Sequence, residues 1–282
     1  MNLSEMRRLL ASRDLQLTKS LGQNFLHDGN QLRRIAAAAG LEGTDRILEI
    51  GPGLGPLTEL LLAGAGEVTA VEKDGRLVEV LKDRFHGDDR FHLVHADALA
   101  WIRDEERDWS DWKVVSNLPY SVGSPILVEL ALAERPARRM VVTLQAEVIG
   151  RVAARPGTAE YGVLTLLAAL RFSVSATFKV PRECFFPAPD VESACAVLDR
   201  RPAMELGPGV ASAYVSAVKA GFGQRRKMML KLLAEVWPRE AVEAAMTVAA
   251  VAHTERAERV SREQFVEIAR QLADVPSTGN RP

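Results

Sequence analysis

Residues 46–56 constrain this chain more than any other stretch. The apolar run Arg46-Ile47-Leu48-Glu49-Ile50 has the length and composition of a buried strand. It runs without a break into Gly51-Pro52-Gly53-Leu54-Gly55, and Pro56 to Ala63 then reads as a helix. Strand, glycine loop and helix together form the opening unit of an open α/β sheet. The glycines let the backbone turn sharply and approach a ligand closely. The spacing is GxGxG rather than the GxGxxG of dinucleotide binders, and alone it is a weak signal.

A second strand, Glu67 to Val71, ends at Glu72, 21 positions after Gly51. That is the spacing of a carboxylate reaching ribose hydroxyls from the end of strand two. Loop and acid together point to an adenosine-type ligand. The rival reading is that Glu72 caps a helix starting at Asp74. Phe91 to His95 is a third strand, and Asp97 follows it. Asp97 suits an adenine amine as an acceptor, and it equally suits the N-cap of a helix from Ala98.

The run Lys113 to Ser116 is strand four, and it delivers Asn117-Leu118-Pro119-Tyr120 to the carboxyl end of the sheet. Asn brings a side-chain carbonyl, Pro a stiff turn and Tyr a flat face. Such a group can hold a planar ring with an exocyclic amine. An Asn-bearing turn after a strand is the plain alternative.

Around this core, Asn2 to Ser12 and Asn30 to Ala39 read as helices, with Gly40 at a C-cap. Between them lies the polar loop Gly22-Gln23-Asn24-Phe25-Leu26. Helix 123–133, strand 138–144, helix 163–170 and an antiparallel pair at 171–178 and 191–198 follow. The loop joining that pair holds Phe185-Phe186-Pro187-Ala188-Pro189. Prolines fix it in an extended form, so one aromatic can serve as a stacking platform while the other closes the core.

Beyond Pro202 no strand-like run remains. Helices are predicted over 210–220, 225–236, 239–251 and 262–273, which places a domain boundary near residue 203. The predicted organisation is a first domain over 1–202 with a helical extension over 1–40, a helical domain over 203–274, and a disordered tail over 275–282. Arg225, Arg226 and Lys227, with Lys231, form the densest basic cluster and fall at a predicted helix start. Cations there oppose the helix dipole. Phosphate binding accounts for them, and a solvated face is the alternative.

Net charge is −1, from 36 Lys/Arg against 37 Asp/Glu. Residues 201–282 hold 12 of the cations and 9 of the acids, so any nucleic acid must be met by local patches. Cys184 and Cys195 have no Cys or His at metal-ligand spacing, and the five histidines form no metal motif. No apolar run reaches the ~18 residues of a membrane span, and no secretory leader is recognisable. A reduced, cytoplasmic protein is expected.

GQNFL at 22–26, EIGPGLG at 49–55, Glu72, Asp97, NLPY at 117–120, LQAEV at 144–148, Tyr161-Gly162, FFPAPDVESA at 185–194 and GQRRK at 223–227 occur in one order. In that set the chain resembles the ribosomal RNA adenine dimethyltransferases, most closely the bacterial small-subunit type, over roughly residues 18–270. The resemblance implies a Rossmann-like class I methyltransferase with a seven-stranded, mostly parallel sheet plus a small C-terminal all-α domain. It implies S-adenosylmethionine as donor, leaving S-adenosylhomocysteine, without a metal. The substrate implied is a pair of adjacent adenosines in the last hairpin loop of 16S rRNA, each taken to N6,N6-dimethyladenosine. A monomer acting on the small subunit or its precursor is expected.

By motif position, the donor would meet Asn24, Leu26, Gly51, Gly53, Glu72, Asp97 and Asn117. The catalytic group would be Asn117, Leu118, Pro119, Tyr120 and Phe185, and RNA would meet Arg225, Arg226, Lys227 and Lys231. Leu118 stands where enzymes with NPPY, which stop at one methyl, carry Pro. Ala146 departs from the family, which often has Lys there, so one basic contact near the RNA path is not expected; the overall acidity, unusual for the family, shifts more of the RNA affinity onto Arg225, Arg226 and Lys227. The rivals are a nucleotide-dependent oxidoreductase, which has no use for NLPY, a large-subunit adenine methyltransferase, and a mainly non-catalytic assembly factor for the small subunit.

Overall fold

The computed structural model describes residues 1–15, 24–104, 107–202, 206, 208–224 and 226–277. Its elements are α1 (Leu3–Ser12), β1 (Phe25–Leu26), α2 (Gly29–Ala39), β2 (Arg46–Ile50), α3 (Pro56–Gly64), β3 (Glu67–Glu72) and α4 (Gly75–Arg84). They continue with β4 (Phe91–His95), α5 (Ala98–Asp104), β5 (Trp112–Asn117), α6 (Gly123–Leu132), β6 (Arg139–Gln145) and α7 (Ala146–Val152). Then come α8 (Val163–Ala169), β7 (Phe172–Val180), β8 (Phe185–Phe186), β9 (Ser193–Arg200), α9 (Pro208–Gly221), α10 (Met229–Leu233), α11 (Arg239–Val248) and α12 (Arg262–Leu272).

Seven strands form one sheet in the order β4-β3-β2-β5-β6-β9-β7. Pairing is parallel from β4 through β6 and antiparallel for β6–β9 and β9–β7. The inner strands β2, β3, β5 and β6 are buried at nearly every position, as strands covered on both faces must be. The chain leaves β2 toward β3 and β4, then returns to the other side of β2 with β5. That reversal opens a crevice at the carboxyl ends of β2 and β5, the usual ligand position of such sheets.

Local chemistry sets the helix ends. Asp28 Oδ1 caps α2 by accepting from Gln31 N–H at 2.8 Å, and Gly40 closes that helix at φ 56°. Asn2 and Glu5 make a reciprocal capping box on α1. Met6 and Leu10 of α1 are buried against Phe25, Leu54, Leu77 and Val80. At roughly 1.5–3 kcal/mol per buried large apolar side chain, that contact is what holds α1 in place. On the opposite end of the sheet, Asp45 is fully buried and accepts from Lys113 Nζ and from Arg138 Nη2, each at 2.7 Å. Lys113 Nζ also donates to Gly40 O at 2.6 Å, so the end of α2 is tied to β5.

The chain divides into two compact units. One comprises Met1–Gly150 and Arg171–Arg200, the other Arg151–Leu170 and Arg201–Pro282. The sequence boundary near 203 therefore misses one segment, because residues 151–170 belong with the C-terminal helices. Long-range bonds explain it. Tyr161 Oη donates to Val260 O, Gly157 N–H to Glu258 O and Tyr214 Oη to Leu166 O, each at 2.8 Å.

Two further differences from the sequence reading concern the second unit. The helix expected over 225–236 is shorter: Met228 is extended, at φ −64° and ψ 138°, and α10 covers Met229–Leu233. Met229 N–H donates to Glu255 O at 2.9 Å, a tertiary bond that stops the helix from extending backward. The helix expected over 239–251 ends at Val248, and Ala250 is left-handed at φ 52°. Of the predicted tail, residues 278–282 lie outside the described part.

A two-stranded sheet, β1 with β8, has no counterpart in the sequence reading. Phe25 stands opposite Phe186 and Leu26 opposite Phe185, and His27 N–H donates to Cys184 O at 2.9 Å. It binds the described end of GQNFL, whose Gly22 and Gln23 lie outside the described residues, to FFPAP.

Candidate active site

The loop after β2 is built for close approach. Gly51 and Gly53 are left-handed, at φ 64° and 61°, where a side chain is strained. A Cβ on Gly53 would lie 2.6 Å from the Phe25 ring, and one on Gly51 would lie 3.1 Å from Pro119. Gly51 N–H donates to Val71 O at 2.9 Å, and Gly53 N–H to Glu72 Oε2 at 3.2 Å. Glu72 Oε1 accepts from the N–H groups of Lys73 and Asp74, each at 2.9 Å. A carboxylate has about four acceptor positions, so Glu72 keeps capacity for a hydroxyl. Burial pushes its pKa up, and the three N–H groups oppose that. Asp74, whose own side chain accepts from Arg76 N–H at 3.0 Å, is the cap of α4, so Glu72 is not needed for it.

Asp97 serves as a cap and as a wall. Its Oδ1 accepts from Leu99 N–H at 3.0 Å and Ala100 N–H at 3.2 Å, and its Oδ2 accepts from Lys73 Nζ at 2.8 Å. The Lys73 hydrogen bond, with the N–H groups, holds its carboxyl below the usual range.

Ser116 Oγ donates to Ile50 O at 2.5 Å and locks the end of β5 to the end of β2. Asn117 Nδ2 donates to Asn24 O at 3.2 Å. That bond sets the amide: rotated by half a turn, it would face oxygen to oxygen. Asn117 Oδ1 is buried and has no hydrogen-bond partner among the described residues. Leu118 N–H donates to Thr143 O at 3.1 Å. Tyr120 shares a hydrogen bond between its hydroxyl and Ser193 Oγ, and its ring meets Phe185 edge-on at 6.5 Å and 67°.

These groups surround one cavity of about 280 Å³. Asn24, Gly51, Gly53, Glu72, Asp97, Asn117, Leu118, Pro119 and Tyr120 all line it, with Ile50, Val71, Leu77, Leu99 and Ile126 as apolar wall. Two residues singled out from the sequence do not. Leu26 and Phe185 are 3% exposed and lie in the core under α2 and α3. The reason is the β1–β8 register, which sets them opposite each other and turns Phe25 toward the cavity instead. Phe25 is the wall residue the sequence reading missed, because a two-residue strand carries no alternation that tells its cavity side from its core side. Phe186, half-buried, lies under the Arg7 guanidinium at 5.0 Å.

Glu49 was also missed as a charged group of interest. It is 2% exposed, and Thr58 Oγ1 donates to its Oε2 at 2.7 Å. Burial, with the charge of Glu72 adding to it, pushes its pKa up to about 8.

In the second unit, Arg226 and Lys227 are exposed in the turn before α10, and Lys231 is exposed on that helix. Arg226 and Lys227 precede the Met228 cap, and Lys231 is the third residue of this five-residue helix, so the cations do lie at its N-terminal end. Lys227 Nζ lies 4.0 Å from Glu235 Oε1. Arg225 lies outside the described residues.

Among the described residues, no group of three or more His, Cys, Asp or Glu is placed to hold a metal ion, and no helix is long and apolar enough to cross a membrane. The sheet order, the glycine loop with Glu72, and the tetrapeptide Asn117–Tyr120 at the end of β5 define a Rossmann-like class I methyltransferase. Comparison with known proteins makes this specific. The sequence profile described as ribosomal RNA adenine dimethylase matches residues 15–274, and the chain belongs to that family. It is 37% identical over 276 residues to the ribosomal RNA small subunit methyltransferase A of Geobacillus thermodenitrificans, covering 94% of each chain. Among solved structures it is similar to the 23S rRNA methyltransferase ErmE, with a TM-score of 0.67 and 30% identity over 88% of this chain and 99% of that one. A dimethyladenosine transferase from Plasmodium falciparum shares the fold, with a TM-score of 0.71 at 20% identity over 88% and 97%.

The cavity fits S-adenosylmethionine. Left-handed glycines clear the space a Cβ would fill, Glu72 retains acceptor capacity, and Asp97 is an ionised acceptor beside the apolar side chains that would flank an adenine.

Proposed function

We propose that the protein transfers methyl groups from S-adenosylmethionine to the N6 amines of two adjacent adenosines in the 3′-terminal hairpin loop of 16S rRNA, giving N6,N6-dimethyladenosines during small-subunit assembly in the cytoplasm. The observation that carries this reading is the buried, unpartnered Asn117 Oδ1. A buried acceptor without a donor costs about 1–3 kcal/mol, and an amine N–H of the substrate would relieve that cost.

When bound, S-adenosylmethionine supplies a sulfonium methyl carbon as electrophile. The chain's own groups prepare the nucleophile. Asn117 Oδ1 and the Leu118 carbonyl accept the two amine hydrogens and draw the nitrogen toward a tetrahedral shape, so that its lone pair points out of the ring. Tyr120 offers a face for the base, worth roughly 1–3 kcal/mol in stacking, once the adenine has left its stack. Asn117 is held by Asn24, so this geometry exists before substrate arrives, and such preorganisation lowers the barrier directly. Glu72 would hold a ribose hydroxyl and Asp97 the donor's adenine amine. Arg226, Lys227 and Lys231, with Arg225, contact phosphates.

The test is to incubate the protein with labelled donor and small subunits that lack the modification, with large subunits in parallel, and to map the methylated positions. Two dimethylated adenosines in the small-subunit hairpin are expected. Label confined to the large subunit would favour the activity that the ErmE name describes.

A further inference from the structure

The cavity's aromatic face is fixed by a residue that does not touch the cavity. Ser193 is fully buried at the start of β9, and its Oγ is hydrogen-bonded to the Tyr120 hydroxyl. Two strands hold Ser193 in register: it stands opposite Gln145 of β6 and opposite Val180 of β7. Tyr120 lines the cavity from a turn, where its main chain alone would leave the ring free to swing. Phe185 limits one edge of that ring at 6.5 Å. The hydroxyl bond limits the far end.

We propose that Ser193 is a positioning residue, which holds the plane of Tyr120 for the target base through the Ser193–Tyr120 hydroxyl pair. This rests on the reading of the cavity as an adenine N6 site. A rigid partner at the start of β9, paired on both sides, converts a mobile ring on a turn into a fixed stacking surface, and positioning of this kind acts on the rate. Tyr120 is pushed above its ordinary pKa by burial, so the hydroxyl stays protonated and the pair stays neutral across the physiological range. The loss of one neutral hydrogen bond corresponds to a factor of about five to ten in rate.

The test compares Ser193→Ala, Tyr120→Phe and the double variant, assayed on small subunits lacking the modification. Both single variants remove the same bond and keep the ring. Each is expected to lower kcat about five- to tenfold and the thermal midpoint by about a few degrees, since each leaves one buried hydroxyl unpaired, while donor Kd stays at the wild-type value, and the double is expected to lower kcat no further than the lower single. Wild-type kcat in either single variant, or a double-variant loss equal to the product of the two, would overturn the assignment. If Ser193→Ala does not fold, Tyr120→Phe decides alone, because it keeps Ser193 in the sheet. Failure of the wild-type protein to methylate any adenine would count against the reading of the cavity, and is thereby separate from the role of Ser193.

Discussion

Asn117 and Asn24 stand 93 positions apart, and the amide of the first donates to the main-chain carbonyl of the second at 3.2 Å. Through that bond, the oxygen of Asn117 is the free acceptor in the cavity, and the nitrogen is spoken for. Asn117→Ala removes the acceptor. We expect turnover to fall about 10²- to 10³-fold, the usual cost of losing one preorganised polar contact to a transition state. Donor affinity should change far less, since Glu72 and Asp97 remain. Calorimetric titration of the donor beside single-turnover methylation checks both, and near-normal turnover would refute the amine-orienting role.

Leu118 bears on how many methyls are added. A monomethylated amine has one hydrogen left, so one of the two acceptors must be released for the second transfer. Leu118→Pro stiffens the turn and also deletes the N–H that donates to Thr143 O. Accumulation of the monomethyl product is expected, read by mass spectrometry of digested RNA. An unchanged dimethyl yield would sink the idea.

Gly53 has no room for a side chain. In Gly53→Ala, the new Cβ meets the Phe25 ring at 2.6 Å, and the left-handed backbone adds roughly 1–2 kcal/mol of strain. Phe25 is backed by α1 and cannot retreat freely. Donor affinity should drop at least about tenfold, with a lower urea midpoint. Wild-type donor binding would show that the ligand does not pass over this loop.

Phosphate contacts are counted by salt. If Arg226 and Lys227 each neutralise a phosphate, replacing either with Ala should reduce the slope of log affinity against log salt by about 1. An identical slope in the double variant would make the cluster a solvated turn.

Glu49 sets a pH dependence of stability. Its folded pKa of about 8 lies above the unfolded value of about 4.3. Between those values the folded state keeps a proton that the unfolded state releases. This contribution to stability is therefore fully present below about pH 4.3 and is lost as pH rises through about 8. Glu49→Gln keeps an acceptor for Thr58 Oγ1 and carries no charge. Urea midpoints at pH 5, 6.5 and 8 should decline more steeply in the wild type than in the variant. Parallel declines would show that another group is responsible.

Much of this was readable before any fold was known. Strands β2 and β4 fall where periodicity places them, and the glycine loop, Glu72, Asp97 and NLPY occur at strand ends, as an open α/β sheet requires. Such features are local: spacing along a strand or a helix, and turn chemistry, repeat within ten residues of themselves. The β1–β8 pair was not readable, because two-residue strands have no period. Its register moved Phe185 and Leu26 into the core and Phe25 to the cavity. The segment 151–170 was misassigned for a similar reason, since the bonds that hold it reach residues about a hundred positions on.

The sequence by itself determined the class of sheet, the order of its motifs and the residue types at the cavity, because each of these follows from short-range pattern. The tertiary structure alone decided which atom of Asn117 faces the ligand, that Ser193 holds Tyr120, and that Glu49 lies buried near Glu72. Each of those depends on a partner brought close by folding. A hydrogen bond or a burial free energy is set by distance in space, which separation along the chain does not encode.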